Sequence, residues 1–242
     1  MDNRNLKFIT DEVFPHLLNE GKIKIPEWAN KVKIDVGTSI NAPNSEIWLN
    51  NDSELCVFAF EPNIFNIKHL HSGKQIWPTH LNPNKINYSF FYTQCALSNF
   101  ISESEDFFCT DIDGGTSSLF LPIDTKIQVK EITKIPVITL ELFFEFFPWE
   151  KIPYIEQIKI DAQSSDFNII KGIGKYLSER IVYLDVETTT NNQYSNNETP
   201  IELKRYLESN GFECLNWGIN ATFFNKKFIN IKHNINYSII GD

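Results

Sequence analysis

An α/β fold, with a mostly parallel sheet, helices on both faces and an antiparallel hairpin at its end, is what this sequence predicts. Three observations carry the expectation. Apolar runs of strand length recur and stop at glycine or acid-proline turns, as in Lys31–Val36 before Gly37 and Leu55–Phe60 before Glu61-Pro62. Stretches with helical spacing separate these runs, which is the alternation of a sheet wound from βαβ units. The chain then closes with two short runs on either side of a turn. A length of 242 residues suits a single domain over 1–242, and apolar residues at 42% with aromatics at 14% suffice to bury both faces of a sheet.

Taken in order, residues 1–30 read as a helical extension, because Phe8, Val13, Phe14, Leu17 and Leu18 recur at helical spacing before Gly21 and Pro26 stop the pattern. The first strand is Lys31–Val36 and the second Leu55–Phe60, with helices expected over 44–49 and 63–71. A third strand fits 88–97, a fourth 155–161 and a fifth Ile181–Glu187, the last two separated by a helix over 166–177. Residues 98–153 break this rhythm and read as an insertion covering one edge of the site. Within it, 127–130 and 137–140 resemble strands and 142–147 a hydrophobic turn or short helix. Threonine and asparagine mark 190–199 as a flexible loop, 201–210 as a helix stopped by Gly211, and 212–217 with 222–228 as the closing hairpin.

Composition excludes several classes of function. A net charge of −9 with no basic patch disfavours nucleic acid and anionic membrane surfaces. Cys56, Cys95, Cys109 and Cys214 are far apart and form no zinc knuckle or disulfide framework. No run approaches the roughly 20 apolar residues of a membrane span, and the first 15 residues lack a basic, then apolar, leader, so a cytoplasmic protein is expected. His69 and His71 would point about 200° apart on a helix, which makes them a solvated helix end rather than paired ligands. Phe143 to Trp149 reads as core packing or a homodimer contact ahead of a lid over a ligand.

The informative residues are Asp35-Val36-Gly37-Thr38-Ser39 at the end of the first strand and Glu61 at the end of the second. Ligands of open parallel sheets sit beyond the carboxyl ends of the strands, where a glycine admits backbone and an acid holds ribose hydroxyls. A dinucleotide site wants G-x-G-x-x-G for its pyrophosphate, and the second and third glycines are missing here. That weakens a nicotinamide-dependent oxidoreductase. An acid beside a sulfonium cofactor that carries an amino group is better matched.

These motifs, together with Phe58-Ala59-Phe60-Glu61-Pro62, Cys95-Ala96-Leu97-Ser98, Gly115-Thr116-Ser117-Ser118-Leu119, Ile158-Lys159-Ile160-Asp161, Ile169-Ile170-Lys171-Gly172 and Asn210-Gly211-Phe212, resemble the FkbM-type methyltransferase family over about residues 31–230. The resemblance implies a Rossmann-like class I methyltransferase sheet and S-adenosylmethionine as cofactor. It assigns the cofactor to Asp35, Gly37, Thr38, Ser39, Asn41, Glu61 and Pro62, with Ala96 and Leu97 near the adenine. The sequence departs from the family at Asn41, where glycine is usual and a left-handed turn is still accessible, and at Gln163-Ser164, where an acid-glycine pair is usual.

Family members often methylate hydroxyls of sugars or secondary metabolites, so the expected acceptor is a sugar, glycan or related small molecule. Methyl transfer from a sulfonium asks the enzyme to position an acceptor oxygen and take its proton. Asp161 and Glu187 end adjacent strands and are the candidate bases; no metal is expected, since a third hard ligand is not visible beside them. The altered turn after Asp161 keeps open a second reading, a catalytically silent relative serving as a binding or scaffold module.

Overall fold

The computed structural model describes residues 7–110, 115–188, 193–195 and 199–235. Its main sheet contains, in chain order, β3 (Lys31–Val36), β4 (Leu55–Phe60), β5 (Phe90–Thr93), β9 (Ile155–Ile160), β10 (Ile181–Glu187), β11 (Phe212–Asn216) and β12 (Asn220–Asn225). The spatial order is β11-β12-β10-β9-β3-β4-β5, with β5, β4, β3, β9 and β10 parallel and the β11–β12 hairpin antiparallel beside β10. The chain is therefore a mixed α/β protein built on a parallel-rich sheet.

Alternate residues of β4 explain why both faces are covered. Cys56, Phe58 and Phe60 pack into one cluster with Phe143 and Phe144, while Leu55, Val57 and Ala59 pack on the other side with Trp48 and Leu70. Those partners come from α1 (Pro43–Asn51), α2 (Ile64–Ser72) and α3 (Leu140–Glu145). Local signals set the helix ends: Asn63 caps α2 by accepting from the Phe65 amide at 2.9 Å, and Gly73 ends it at φ 64°.

Several expected elements differ, each for a physical reason. The N-terminal residues form a π-helical turn at Ile9–Val13 and then a small hairpin of β1 (Leu18–Asn19) and β2 (Lys22–Ile23), because Glu20 and Gly21 take left-handed φ of 50° and 76° and reverse the chain. Phe8, Val13, Phe14 and Leu17 are buried all the same. The third expected strand divides at Gln94-Cys95: β5 stays in the main sheet, and β6 (Ala96–Leu97) joins β7 (Ser102–Cys109) and β8 (Glu131–Ile138) in a separate three-stranded sheet ordered β6-β8-β7. No strand covers 127–130, β8 stops at Ile138, and Thr139 caps α3 through the Leu142 amide at 3.1 Å. The helix expected over 166–177 becomes α4 (Asp166–Lys171) and α5 (Tyr176–Arg180), broken where a Cβ on Gly172 would meet the Ser98 carbonyl at 2.1 Å.

The helix expected over 201–210 is α6 (Pro200–Ser209), and beyond β12 the chain turns into a 3-10 segment, Lys226–Asn234. Of the expected flexible loop, residues 190–192 and 196–198 lie outside the described residues, while Gln193 to Ser195 pair with Leu121 to Asp124. Among the described residues no helix is long and apolar enough to cross a membrane.

Candidate functional site

The carboxyl ends of β3, β4 and β9 surround one cleft. Gly37, Ser39, Glu61, Pro62, Ala96 and Leu97 all line it, so six of the expected cofactor residues converge on one space. Asp161 lines it too. The remaining lining residues are Val36, Phe60, Cys95, Phe107, Leu119 and Ala162, which are apolar, Gly115, and the polar Ser117, Gln163 and Ser165. The three-stranded sheet thus supplies part of the wall, through Ala96, Leu97 and Phe107.

Glu61 leaves β4 into the N-terminal turn before α2, and its carboxylate ties two strand ends together. Oε2 accepts the Ser39 amide at 3.0 Å and the Thr38 hydroxyl at 3.5 Å, while Oε1 accepts the Asn63 amide at 2.9 Å. Burial pushes its carboxyl up to about 7, against the pull of those amides and the Asn66 side chain. A desolvated acid with neutral donors around it is receptive to further hydroxyl donors.

Gly37 has φ 71°, and a Cβ there would lie 1.9 Å from the Asp161 carbonyl oxygen. Its missing side chain lets β3 and β9 finish side by side. Asp35 and Thr38 do not line the cleft; Asp35 sits 1% exposed beneath it, accepting from Ser45 Oγ at 2.5 Å and lying 3.7 Å from the Lys159 ammonium. Asn41 also stays outside. The left-handed residues are Ser39 (φ 58°) and Ala42 (φ 42°), and the Asn41 side chain instead donates to the Thr79 carbonyl at 2.8 Å.

Lys159 organises the charges under the cleft. Its ammonium donates to the Gly37 carbonyl at 2.7 Å and the Val36 carbonyl at 3.3 Å, and lies 3.5 Å from Asp161 Oδ2. Burial raises the Asp161 carboxyl, yet the Lys159 charge and hydrogen bonds from Glu187 and Gln163 outweigh it, leaving Asp161 below the usual carboxylate range. With 40% of its side chain open, Asp161 is ionised and reachable. Glu187 does not line this cleft, but Gln163 Nε2 joins the pair, donating to Asp161 Oδ1 at 3.0 Å and Glu187 Oε2 at 3.2 Å.

Sequence reasoning missed Lys159, Gln163 and Tyr194 as site residues. The Tyr194 hydroxyl donates to the Thr116 carbonyl at 2.8 Å and lies 3.1 Å from Gln163 Oε1, from a segment without periodic signal. Lysine at 159 was visible in the strand pattern, with Asp161 two residues further along; its other counter-ion, Asp35, lies beside it only because β3 and β9 pair in register, Asp35 opposite Lys159. The two histidines diverge as expected, His69 towards the His80 ring at 5.8 Å and His71 to the Tyr92 hydroxyl at 2.8 Å. Phe143, Phe144 and Phe147 are buried in the core and form no lid.

The sequence model of the methyltransferase FkbM domain matches residues 35–214, about three quarters of the chain. No curated protein gives a significant match. The matched span runs from Asp35 to Cys214 and contains every residue named above as lining the cleft, so fold, site and sequence pattern coincide. This chain belongs to the FkbM-domain methyltransferase family.

Proposed function

We propose that the protein is an S-adenosylmethionine-dependent O-methyltransferase of class I, Rossmann-like architecture, acting on a hydroxyl of a sugar or related small molecule. The observation that carries this reading is that the Gly37 turn and the Glu61 carboxylate, from neighbouring strands, line one cleft. The residues fit the cofactor. Glu61 supplies a desolvated acceptor for ribose hydroxyls, Pro62, Ala96, Leu97, Phe107 and Leu119 an apolar wall for the adenine, and Asp161 a negative charge towards the sulfonium.

When bound, the cofactor supplies an electrophilic methyl group on a cationic sulfur. The chain's part is to orient the acceptor and hold its proton. Asp161 is the base: ionised through Lys159 and two hydrogen bonds, it takes the hydroxyl proton on a carboxylate oxygen while the Gln163 amide keeps its orientation. Lys159 offsets the buried charge of Asp35 and Asp161 and is not free to leave, since two carbonyls also hold it. Asp161 lining the same cleft as Gly37 and Glu61 is what favours an active enzyme over a silent relative.

Thermal melting with S-adenosylhomocysteine against NAD tests the reading. At about a hundredfold excess over Kd the former should stabilise the fold by about 2.7 kcal/mol, and NAD should do nothing. Glu61→Gln should weaken S-adenosylhomocysteine by about 1–3 kcal/mol. A melting curve indifferent to S-adenosylhomocysteine rejects the cofactor assignment. Binding without methyl transfer to any hydroxylated acceptor would instead support the silent relative.

A further inference from the structure

Asp161 faces two spaces. Beside the cleft, on the face of the sheet where α1 packs, lies a second hollow whose wall it also forms. Strand register explains the lining. Asp35, Lys159, Asp185 and Thr222 are successive partners across β3, β9, β10 and β12, so their side chains share one face in a single row. Two residues further along, Asp161 and Glu187 lie on that same face, with Asn220 opposite Glu187. From α1 comes Asn44, next to the Ser45 hydroxyl that bonds Asp35.

The row is polar where β4 carries Leu55, Val57 and Ala59 on this face. Buried polar groups cost stability unless they are paired, and most of these are. The Thr222 hydroxyl donates to Asp185 Oδ1 at 2.7 Å and the Gln157 amide to Oδ2. Lys159 spends its donors on the Val36 and Gly37 carbonyls, and Asp161 and Glu187 bond each other as well as the Gln163 amide. Two amides are left over. Asn44 is only 9% exposed, and among the described residues neither its side chain nor that of Asn220 has a hydrogen-bond partner. Both line the hollow.

We propose that this hollow is the acceptor subsite and that it takes a neutral polyhydroxylated ring, an uncharged sugar, held by the Asn44 and Asn220 amides with the reacting hydroxyl at Asp161. The proposal deepens the methyl transfer above and rests on it, because Asp161 is the group that the hollow shares with the cofactor cleft. The hydroxyl oxygen bonds the methyl carbon as the carbon–sulfur bond breaks, its proton passes to Asp161, and S-adenosylhomocysteine leaves. Charge selects the ring. Three carboxyl groups, Asp161, Asp185 and Glu187, face the hollow against one ammonium, Lys159, whose charge already answers Asp35 and Asp161. A phosphate or carboxylate on the acceptor would be repelled there. An amine only donates, and would leave the amide N–H groups unpaired beside Lys159, whereas hydroxyls donate and accept as the amides do.

The test presents the full chain, with S-adenosylhomocysteine bound, with glucose, galactose and mannose, the 6-phosphate of each, and glucosamine, and reads binding by saturation-transfer NMR titration. At least one hexose should bind at least about tenfold more tightly than its phosphate and than glucosamine. Asn44→Ala and Asn220→Ala should each weaken that hexose about tenfold, the loss of one amide's hydrogen bonds, and leave S-adenosylhomocysteine affinity within about twofold of wild type. If melting shows one variant unfolded the other decides, and the comparison of neutral with phosphorylated sugar needs neither. Preference for the phosphate or the amine overturns the proposal, as does folded variants binding the hexose as wild type does. A chain that binds S-adenosylhomocysteine but no hexose rejects the subsite alone, and one that ignores S-adenosylhomocysteine rejects the proposed function itself.

Discussion

At position 37 a single missing side chain decides whether two strands can end together. An added Cβ would both meet the Asp161 carbonyl at 1.9 Å and sit on a backbone of φ 71°, a left-handed conformation that disfavours any Cβ. Gly37→Ala should therefore destabilise the fold by about 3 kcal/mol or more, combining overpacking with backbone strain. A denaturation midpoint close to wild type would contradict this. The sequence reading had glycine admitting a ligand; the packing shows that it first admits a neighbouring strand. Glu61 shows the converse, because its role as an acid at a strand end was legible, while the amides of Ser39 and Asn63 that hold it belong to loops whose meeting no local pattern reveals.

Among the elements, α3 shows how an aromatic run becomes core. Phe143 lies edge-on to Phe14 at 5.6 Å and to Phe60 at 5.3 Å, and within 5.5 Å of Phe58, so it joins the N-terminal segment to the sheet. Phe143→Ala should cost about 3–5 kcal/mol in equilibrium unfolding. A loss under about 1 kcal/mol would mean that the cluster repacks or is not the joint described. The parallel strands were legible because burial on both faces makes them near-continuous apolar runs, as in β4. β7 was not, since Ser102, Glu103, Ser104, Glu105 and Asp106 occupy its exposed or half-exposed positions and only Phe107 and Cys109 are buried. A strand covered on one face near an edge has too little apolar periodicity to be read.

For the whole molecule, buried acids set the response to pH. Burial raises Glu61 from 4.5 to about 7 and Asp166 from 3.8 to about 6, and lifts Asp35 and Glu156 in the same direction. A raised folded-state pKa means that the native protein retains a proton the unfolded chain has released, so stability falls as pH rises through that window. A net charge of −9 at neutral pH adds self-repulsion of the same sign. Urea unfolding should thus give a more stable protein near about pH 5.5 than near about pH 7.5, and Glu61→Gln should flatten the slope. Stability that climbs steadily across this range would contradict the burial of these groups.

What the sequence alone determined is the alternation of strands and helices, the closing hairpin, the family resemblance, and the strand-end residues Gly37, Glu61 and Asp161, because apolar period, turn glycines and acids after strands are local properties of a chain. Only the tertiary structure decided which of the expected site residues face the cleft, that Asp35 lies beneath it with Lys159, and that Gln163 rather than a third acid joins Asp161 to Glu187. Those outcomes depend on register between strands far apart in sequence and on loops that meet across the cleft, and contacts of that range leave no periodic trace in the segments that make them.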